Sequence, residues 1–372
     1  MDKRQLIADL QSQGLNIQTH QAGAASRKGG AGPSDHKAIT IDGTTVMIPV
    51  HNDAATKSEY TLQALDSRWK PDNTAYVLSR ATARIADVKF PQQPNFYRLK
   101  TADGIPYSQI ALLHSHNVLA TTVLQTCIRY RNRNTACQFC AIEQSLEAGK
   151  TITRKSPEQL AEVAEAAVTL DGVEQLVMTT GTPNTTDRGA AYLVECAKAI
   201  KARVDIPIQA QCEPPDDFAW FISMKAAGID SLGMHLEVIE PEVRDRIMPG
   251  KAKVSLDYYF EAFAAAVEVF GRGEVSTYIL AGLGDSQETI METCERLIDL
   301  GVYPFVVPFV PISGTPLVNH PPPNSEFMVG IYQRVGAMLN HKGLFSQDMT
   351  AGCAKCGACS ALSTFENYDN EK

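Results

Sequence analysis

No run of apolar residues in the 372-residue chain reaches the ~18 that a membrane-spanning helix needs, so no such helix is expected. Basic residues are outnumbered: 34 Lys and Arg stand against 42 Asp and Glu, for a formal net charge of −8. That balance argues against a broad nucleic-acid footprint. The opening, MDKRQLIADLQSQG, is polar and amphipathic and lacks the apolar core of a signal peptide. The expectation is a cytoplasmic protein whose thiols stay reduced. There are no internal repeats, and no low-complexity stretch beyond a Gly/Ala/Ser-rich loop at residues 18–36. What remains is the composition of an ordinary globular enzyme, 44% hydrophobic and 20% charged. Its length suits one large domain, or a large domain with a smaller one. Cysteine is the exception: of nine, six fall in two tight groups, which in a reducing compartment read as metal ligands rather than disulfides.

Residues 1–17 read as a short helix. Residues 39–50 read as a hairpin, with Asp42 and Gly43 at the turn between ITI and TTVMIPV. Residues 51–110 give mixed signals, broken by prolines at 91, 94 and 106. From residue 118 a regular rhythm sets in. Candidate strands at 118–125, 175–180, 207–211, 231–236, 276–281 and 305–309 alternate with helical patterns at 157–170, 187–202, 216–227, 255–271 and 286–300. Strand then helix, repeated, predicts a parallel sheet with crossover helices. Six such units suit an open partial barrel. A further helix is expected near 325–341, followed by a cysteine-bearing tail. The predicted organisation is an α+β extension over 1–110, a barrel over 111–320 and a C-terminal helix and tail over 321–372.

The first cysteine group is the run CIRYRNRNTACQFC, which places Cys127, Cys137 and Cys140 after the first predicted barrel strand. Parallel α/β folds build their sites at the C-terminal ends of strands. Three thiolates can hold three irons of a [4Fe–4S] cluster and leave the fourth iron without a protein ligand. Structural zinc is the main alternative, but it takes four ligands, and no fourth Cys or His lies nearby in sequence. The second group, GCAKCGACS, holds Cys353, Cys356 and Cys359 at two-residue gaps, the spacing of the first three ligands in a bacterial ferredoxin run. It reads as an auxiliary [4Fe–4S] cluster, with a zinc knot as the alternative. The fourth ligand is left open among Ser360, Cys212, a tail carboxylate and the substrate. His114 and His116 flank the first barrel strand and read as packing or rim residues.

The CIRYRNRNTACQFC run resembles the cluster loop of the radical S-adenosylmethionine (radical SAM) superfamily. The nine-residue first gap departs from the usual three. The resemblance continues in order through TTGTP at 179–183, QCEPP at 211–215, LGMHLEVIEPEVRDRIMPGK at 232–251, ILAGLGDSQET at 279–289 and PFVPISGTPL at 308–317. The fourth-strand and last-strand segments are most similar to the biotin synthase and lipoyl synthase branch. The whole chain, with its Gly-rich loop near Lys28 and its C-terminal cysteines, resembles a radical SAM family found beside bacterial nitrilase genes.

The resemblance implies an α/β fold: a partial (β/α)6 barrel with a small N-terminal extension and a cysteine-rich tail. It implies a [4Fe–4S] cluster bound to S-adenosylmethionine on Cys127, Cys137 and Cys140. It implies cofactor contacts from Phe139 against the adenine, from Thr180 and Gly181 beside the methionine amino group, and from Glu213. Glu237 would meet the ribose or methionine part, Arg246 the carboxylate, and the Gly282 loop would support the adenine. It also implies cleavage of the cofactor to a 5′-deoxyadenosyl radical, an electron donor such as ferredoxin or flavodoxin, and a small substrate with nitrogen in it. Sulfur insertion from the auxiliary cluster and non-catalytic electron transfer are the other readings. Residues 27–32, Arg-Lys-Gly-Gly-Ala-Gly, could cradle an anion or form a surface loop.

Overall fold

The structure, a computed structural model, describes residues 2–17, 35–64 and 76–366. The Gly-rich run at 27–32 lies outside the described residues. Two sheets organise the chain. The N-terminal one is antiparallel and five-stranded, built from β1 (His36–Ile41), β2 (Thr44–Pro49), β3 (Tyr60–Ala64), β4 (Tyr76–Arg80) and β5 (Ala83–Lys89) in the order β2-β1-β5-β4-β3. The expected hairpin is β1–β2. Its turn residues Asp42 and Gly43 both have positive φ, 45° and 79°, as the tightest hairpin turns require. The helix Lys3–Gln13 starts at Asp2, whose carboxylate accepts from the Arg4 N–H, and buries Leu6, Ile7 and Leu10.

The second sheet carries the expected alternation. It comprises β6 (Leu112–His114), β7 (Val118–Thr122), β8 (Gln175–Thr179), β9 (Ile208–Gln211), β10 (Ser231–Gly233), β11 (Val275–Ala281) and β12 (Val302–Pro308), in the order β12-β11-β10-β9-β8-β7-β6. The strands β7 to β12 are parallel, and β6 joins β7 as an antiparallel edge. The sheet therefore curls into a half-barrel of six parallel strands. Helices Pro157–Asp171, Ala190–Lys201, Ala219–Ala226, Leu256–Phe270 and Gln287–Leu300 make the crossovers.

The helix starts follow local chemistry. Ser156 and Gln159 form a reciprocal capping box, and Ser255 and Ser286 cap the helices that follow them. Loops leaving the strand C-termini gather at one end, which we call the top. At the other end the C-terminal tail crosses the strand starts. The Gly352 N–H donates to Gln175 Oε1 (2.6 Å), Cys353 N–H to Gln209 Oε1 (3.1 Å), Ala351 N–H to Ser231 Oγ (3.3 Å) and Thr350 N–H to Glu274 Oε1 (3.0 Å). The tail is thus the floor of the half-barrel. The N-terminal layer holds it from outside, through the Met47 N–H (2.7 Å) and the Gln11 amide (3.1 Å), both donating to the Ala358 carbonyl.

Candidate functional site

The loop after β7 carries the upper cysteines. Its long first gap is folded back on itself: the Tyr130 N–H returns to the Cys127 carbonyl (3.1 Å) and Thr135 N–H to that of Asn132 (2.9 Å). The loop is tied down on both sides, by Ile128 N–H to the Thr182 carbonyl (2.9 Å) and Gln138 N–H to that of Ile247 (2.7 Å). Cys127, Cys137 and Cys140 are all half-buried and unpaired as disulfides. Burial, reinforced by Glu237, pushes the Cys137 thiol up. Burial and the nearby Cys127 push Cys140 up to about 12, against the pull of the Ile142 N–H. Metal binding at either must displace a proton. Phe139, between them, packs on a small apolar cluster that includes Val238, Val243, Ile247, Leu283 and Phe309.

Two buried ion pairs stand beside this loop. Glu213, at the end of β9, meets Arg129 and accepts from Thr182 Oγ1 (2.6 Å). Burial would raise its carboxyl, but Lys251, Arg129 and Thr182 outweigh burial and hold it below the usual range. Its second oxygen, Oε2, is buried with no hydrogen-bond partner. Glu237 pairs with Lys251 Nζ at 2.7 Å. The Glu237 backbone is left-handed, with φ of 63°, because it bridges to β11 on both sides: its N–H donates to Tyr278 O and its carbonyl accepts from Leu280 N–H, each at 2.8 Å. A non-glycine residue in this conformation is strained and is characteristic of ligand-binding segments.

The other expected residues divide. Thr180 turns its hydroxyl to the Gly181 carbonyl (2.8 Å), and the Gly181 N–H is taken by Leu124 O (2.9 Å). Gly181 is required by packing: any Cβ there would collide with the Thr126 carbonyl, next to Cys127. Gly282 has φ of 102° and lies against Pro323, with its carbonyl 2.9 Å from His320 Nε2. Arg246 is exposed, reaches only the Leu283 carbonyl at 3.4 Å, and does not line the central cavity. The buried cations near the cysteines are instead Lys251 and Arg129. Sequence reasoning gave them no cofactor role, because nothing local separates a lysine after Pro-Gly, or one arginine of a basic loop, from a surface residue.

A cavity of about 400 Å³ runs through the half-barrel. Phe139 and Glu237 stand at its upper end and Cys353, Cys356 and Cys359 at its floor; its walls are largely apolar, among them Val118, Ala120, Val177, Leu280 and Val307. The floor cysteines are held by hydrogen bonds. Gln211 Nε2 donates to Cys353 Sγ (3.1 Å), and Ser115 and Tyr278 reach Cys356 and Cys353. His235, in the same cavity, accepts the Tyr278 N–H on Nδ1 (3.3 Å), so its proton sits on Nε2. Burial, with Lys251 adding to it, lowers its pKa to about 3, and the ring is neutral.

Among the described residues no group of three Cys, His, Asp or Glu side chains converges on one metal ion. A cluster has no such need, since its thiolates bind different irons. The upper site fits the expected cofactor pair on its own chemistry. It offers three thiols, an aromatic face, buried cations for a carboxylate, and an orphaned carboxylate oxygen for a hydroxyl or ammonium donor.

A model of the radical SAM superfamily matches residues 130–297. A bacteriochlorophyllide c C-7(1)-hydroxylase of Chlorobaculum limnaeum is 30% identical over 255 residues, which is 63% of this chain and 63% of that protein. The chain therefore spans less than two thirds of that curated relative. Among solved structures, methylornithine synthase covers 60% of this chain and 62% of its own at 19% identity and a TM-score of 0.46. A radical SAM methyltransferase from Sphaerobacter thermophilus covers 82% of each chain at 13% identity and a TM-score of 0.44. Residues 130–297 are therefore a radical SAM domain. Among the described residues no helix is long and apolar enough to cross a membrane.

Proposed function

We propose that Cys127, Cys137 and Cys140 hold a [4Fe–4S] cluster, and that the enzyme removes a hydrogen atom from a small substrate lying between it and a second iron–sulfur cluster on Cys353, Cys356 and Cys359. When bound, the upper cluster and S-adenosylmethionine supply one electron and, from it, a 5′-deoxyadenosyl radical that takes the hydrogen. The protein's part is to bind, orient and exclude water. Phe139 would pack on the adenine, beside the Gly282 loop. Glu213, through its free Oε2, and Glu237 would accept from hydroxyl or ammonium groups, while Thr180 and Gly181 shape the wall beside them. Lys251 and Arg129 would face the carboxylate, the task that the motif order gives to Arg246.

The observation that carries this reading is the cavity itself, with Phe139 of the upper cysteine loop at one end and the second cysteine trio on its floor. Its apolar walls favour a neutral, largely apolar substrate. The likeness to the nitrilase-associated family favours one containing nitrogen. The relative's name, a hydroxylase acting at a carbon, supports carbon–hydrogen removal as a shared step. We read residues 1–110 as an extension, 111–320 as the catalytic barrel of the biotin and lipoyl synthase-like type, and 321–372 as the carrier of the second cluster. Ferrodoxin-like spacing casts that cluster as [4Fe–4S]. A ferredoxin or flavodoxin in the cytoplasm would supply electrons. Because the second trio opens on the substrate space, sulfur insertion is the second reading.

The test is anaerobic reconstitution followed by reductant and S-adenosylmethionine. The expected product is 5′-deoxyadenosine, abolished by Cys127→Ala, Cys137→Ala or Cys140→Ala. Cys353→Ala should keep some cofactor cleavage and lose substrate turnover. Well-reconstituted protein that binds no S-adenosylmethionine would refute the proposal and leave electron transfer.

A further inference from the structure

The second cluster has three cysteines and needs a further donor, or else leaves an iron open. The structure narrows the choice. Ser360 is spent: its hydroxyl donates to the Val306 carbonyl and accepts the Leu362 N–H (3.1 Å). Glu366, a tail carboxylate, is taken up by Tyr303 and by Ser346. Cys212 leaves the top of β9 among Glu213, Asp187 and Arg188 and does not line the cavity. His114 is different. It ends β6, is 8% exposed, lines the cavity with all three floor cysteines, and brings Nε2 to 3.6 Å from Cys359 Sγ. The turn that presents it is strained: Ser115 has φ of 58°, and its hydroxyl reaches Cys356. One short hairpin therefore places two successive side chains on two of the three cysteines.

We propose that His114 Nε2 is the fourth protein ligand of the C-terminal cluster and shares one iron with Cys359. This rests on the reading that the trio holds an iron–sulfur cluster, and it replaces the nuclearity that the ferredoxin-like spacing suggests. Sulfur and imidazole nitrogen bound at ~2.3 and ~2.0–2.1 Å to one tetrahedral centre stand about 3.6 Å apart. The observed pair has that separation. Two protein donors per iron is the ligand pattern of a [2Fe–2S] core, whereas a cubane takes one. Cys353 and Cys356, on one helical turn, take the other iron. Every iron is then saturated, and the cluster meets the substrate space through sulfur rather than through a vacant iron. Substrate is held by the cavity walls alone.

The test uses the full chain carrying Cys127→Ala, Cys137→Ala and Cys140→Ala, so that only the lower cluster assembles, with histidine labelled with nitrogen-15. The expected result after anaerobic reconstitution is two irons per chain, with strong nitrogen-15 coupling in the pulsed EPR spectrum of the reduced state. His114→Ala should remove the coupling. His114→Cys should keep both irons and lower the reduction potential, since a thiolate adds negative charge that a neutral imidazole does not. Coupling no stronger than that of a hydrogen-bonded nitrogen overturns the assignment, and four irons per chain overturns the shared iron. No iron in this protein would instead sink the underlying reading of a second cluster. The same labelling of the wild-type chain, recorded before S-adenosylmethionine is added, gives the answer without any substitution.

Discussion

Gly181→Ala tests how tightly the upper cysteine loop is set. The glycine lies just beyond β8, and its N–H holds the Leu124 carbonyl. An added Cβ would fall roughly 1 Å inside the closest separation that real Cβ atoms show, and the atom it meets is the backbone carbonyl of Thr126. A flexible side chain could swing away from such an approach, but a backbone carbonyl joined to Cys127 cannot. The loop must move by about 1 Å, and Cys127 moves with it. Overpacking of this kind costs about 1–3 kcal/mol in stability. A misplacement of about 1 Å at a reacting centre costs on the order of 100-fold in rate. The variant should therefore stay folded, with a lowered urea midpoint, and should lose about two orders of magnitude in 5′-deoxyadenosine formation. Iron at the floor cysteines should be unchanged. The assay is product release per reconstituted upper cluster, alongside denaturant unfolding of the same preparation. A variant that cleaves the cofactor at the wild-type rate would refute the reasoning.

Three further outcomes follow from the same geometry. Lys251→Met leaves Glu237 without its buried partner and should cost about 3–5 kcal/mol in urea unfolding; adding Glu237→Gln should recover much of that loss. Gly352→Ala, at φ of 118° and against the buried Gln209 amide, should cost about 1–3 kcal/mol and deplete iron at the floor while sparing the upper cluster, as read by iron content and EPR. Burial holds the folded His235 pKa at about 3, far below the ordinary histidine value of 6.5. Its neutral form therefore stabilises the protein fully above pH 6.5, and that contribution is lost as pH falls toward 3. Urea midpoints of the wild type should fall more steeply over that window than those of His235→Phe, and parallel slopes would contradict the burial argument.

The barrel was legible because its strands are short apolar runs separated by capped, amphipathic helices. All six parallel strands and their crossovers lie where the rhythm put them. The fourth strand is shorter than its apolar run predicts, ending at Gly233 rather than near 236. There the Leu236 N–H turns to Thr277 Oγ1 and Glu237 goes left-handed. The strands β3, β4 and β5 were not legible. β5, ARIADVK, is largely exposed and mixes charge with its few apolar residues, so neither period dominates. β6 is three residues long, too short for any pattern.

At the site, cysteine spacing announced both groups, and the aromatic beside Cys140 announced Phe139. What spacing could not announce was burial. Lys251 is 7% exposed and Gln209 wholly enclosed, yet both are polar residues in segments that read as ordinary loop or strand. His114 read as a rim residue because its meeting with Cys359 joins positions 245 residues apart.

That distance along the chain has a further meaning for biogenesis. The Gln11 side chain waits for a carbonyl 347 positions later, and Arg4 for one 360 later. Nearly the whole polypeptide must leave the ribosome before these stitches can be sewn, and closure over such separations is slow. Until then the greasy interior gapes, inviting aggregation. The lower thiols therefore come together only in the last act of maturation, when the polypeptide is sealed from below.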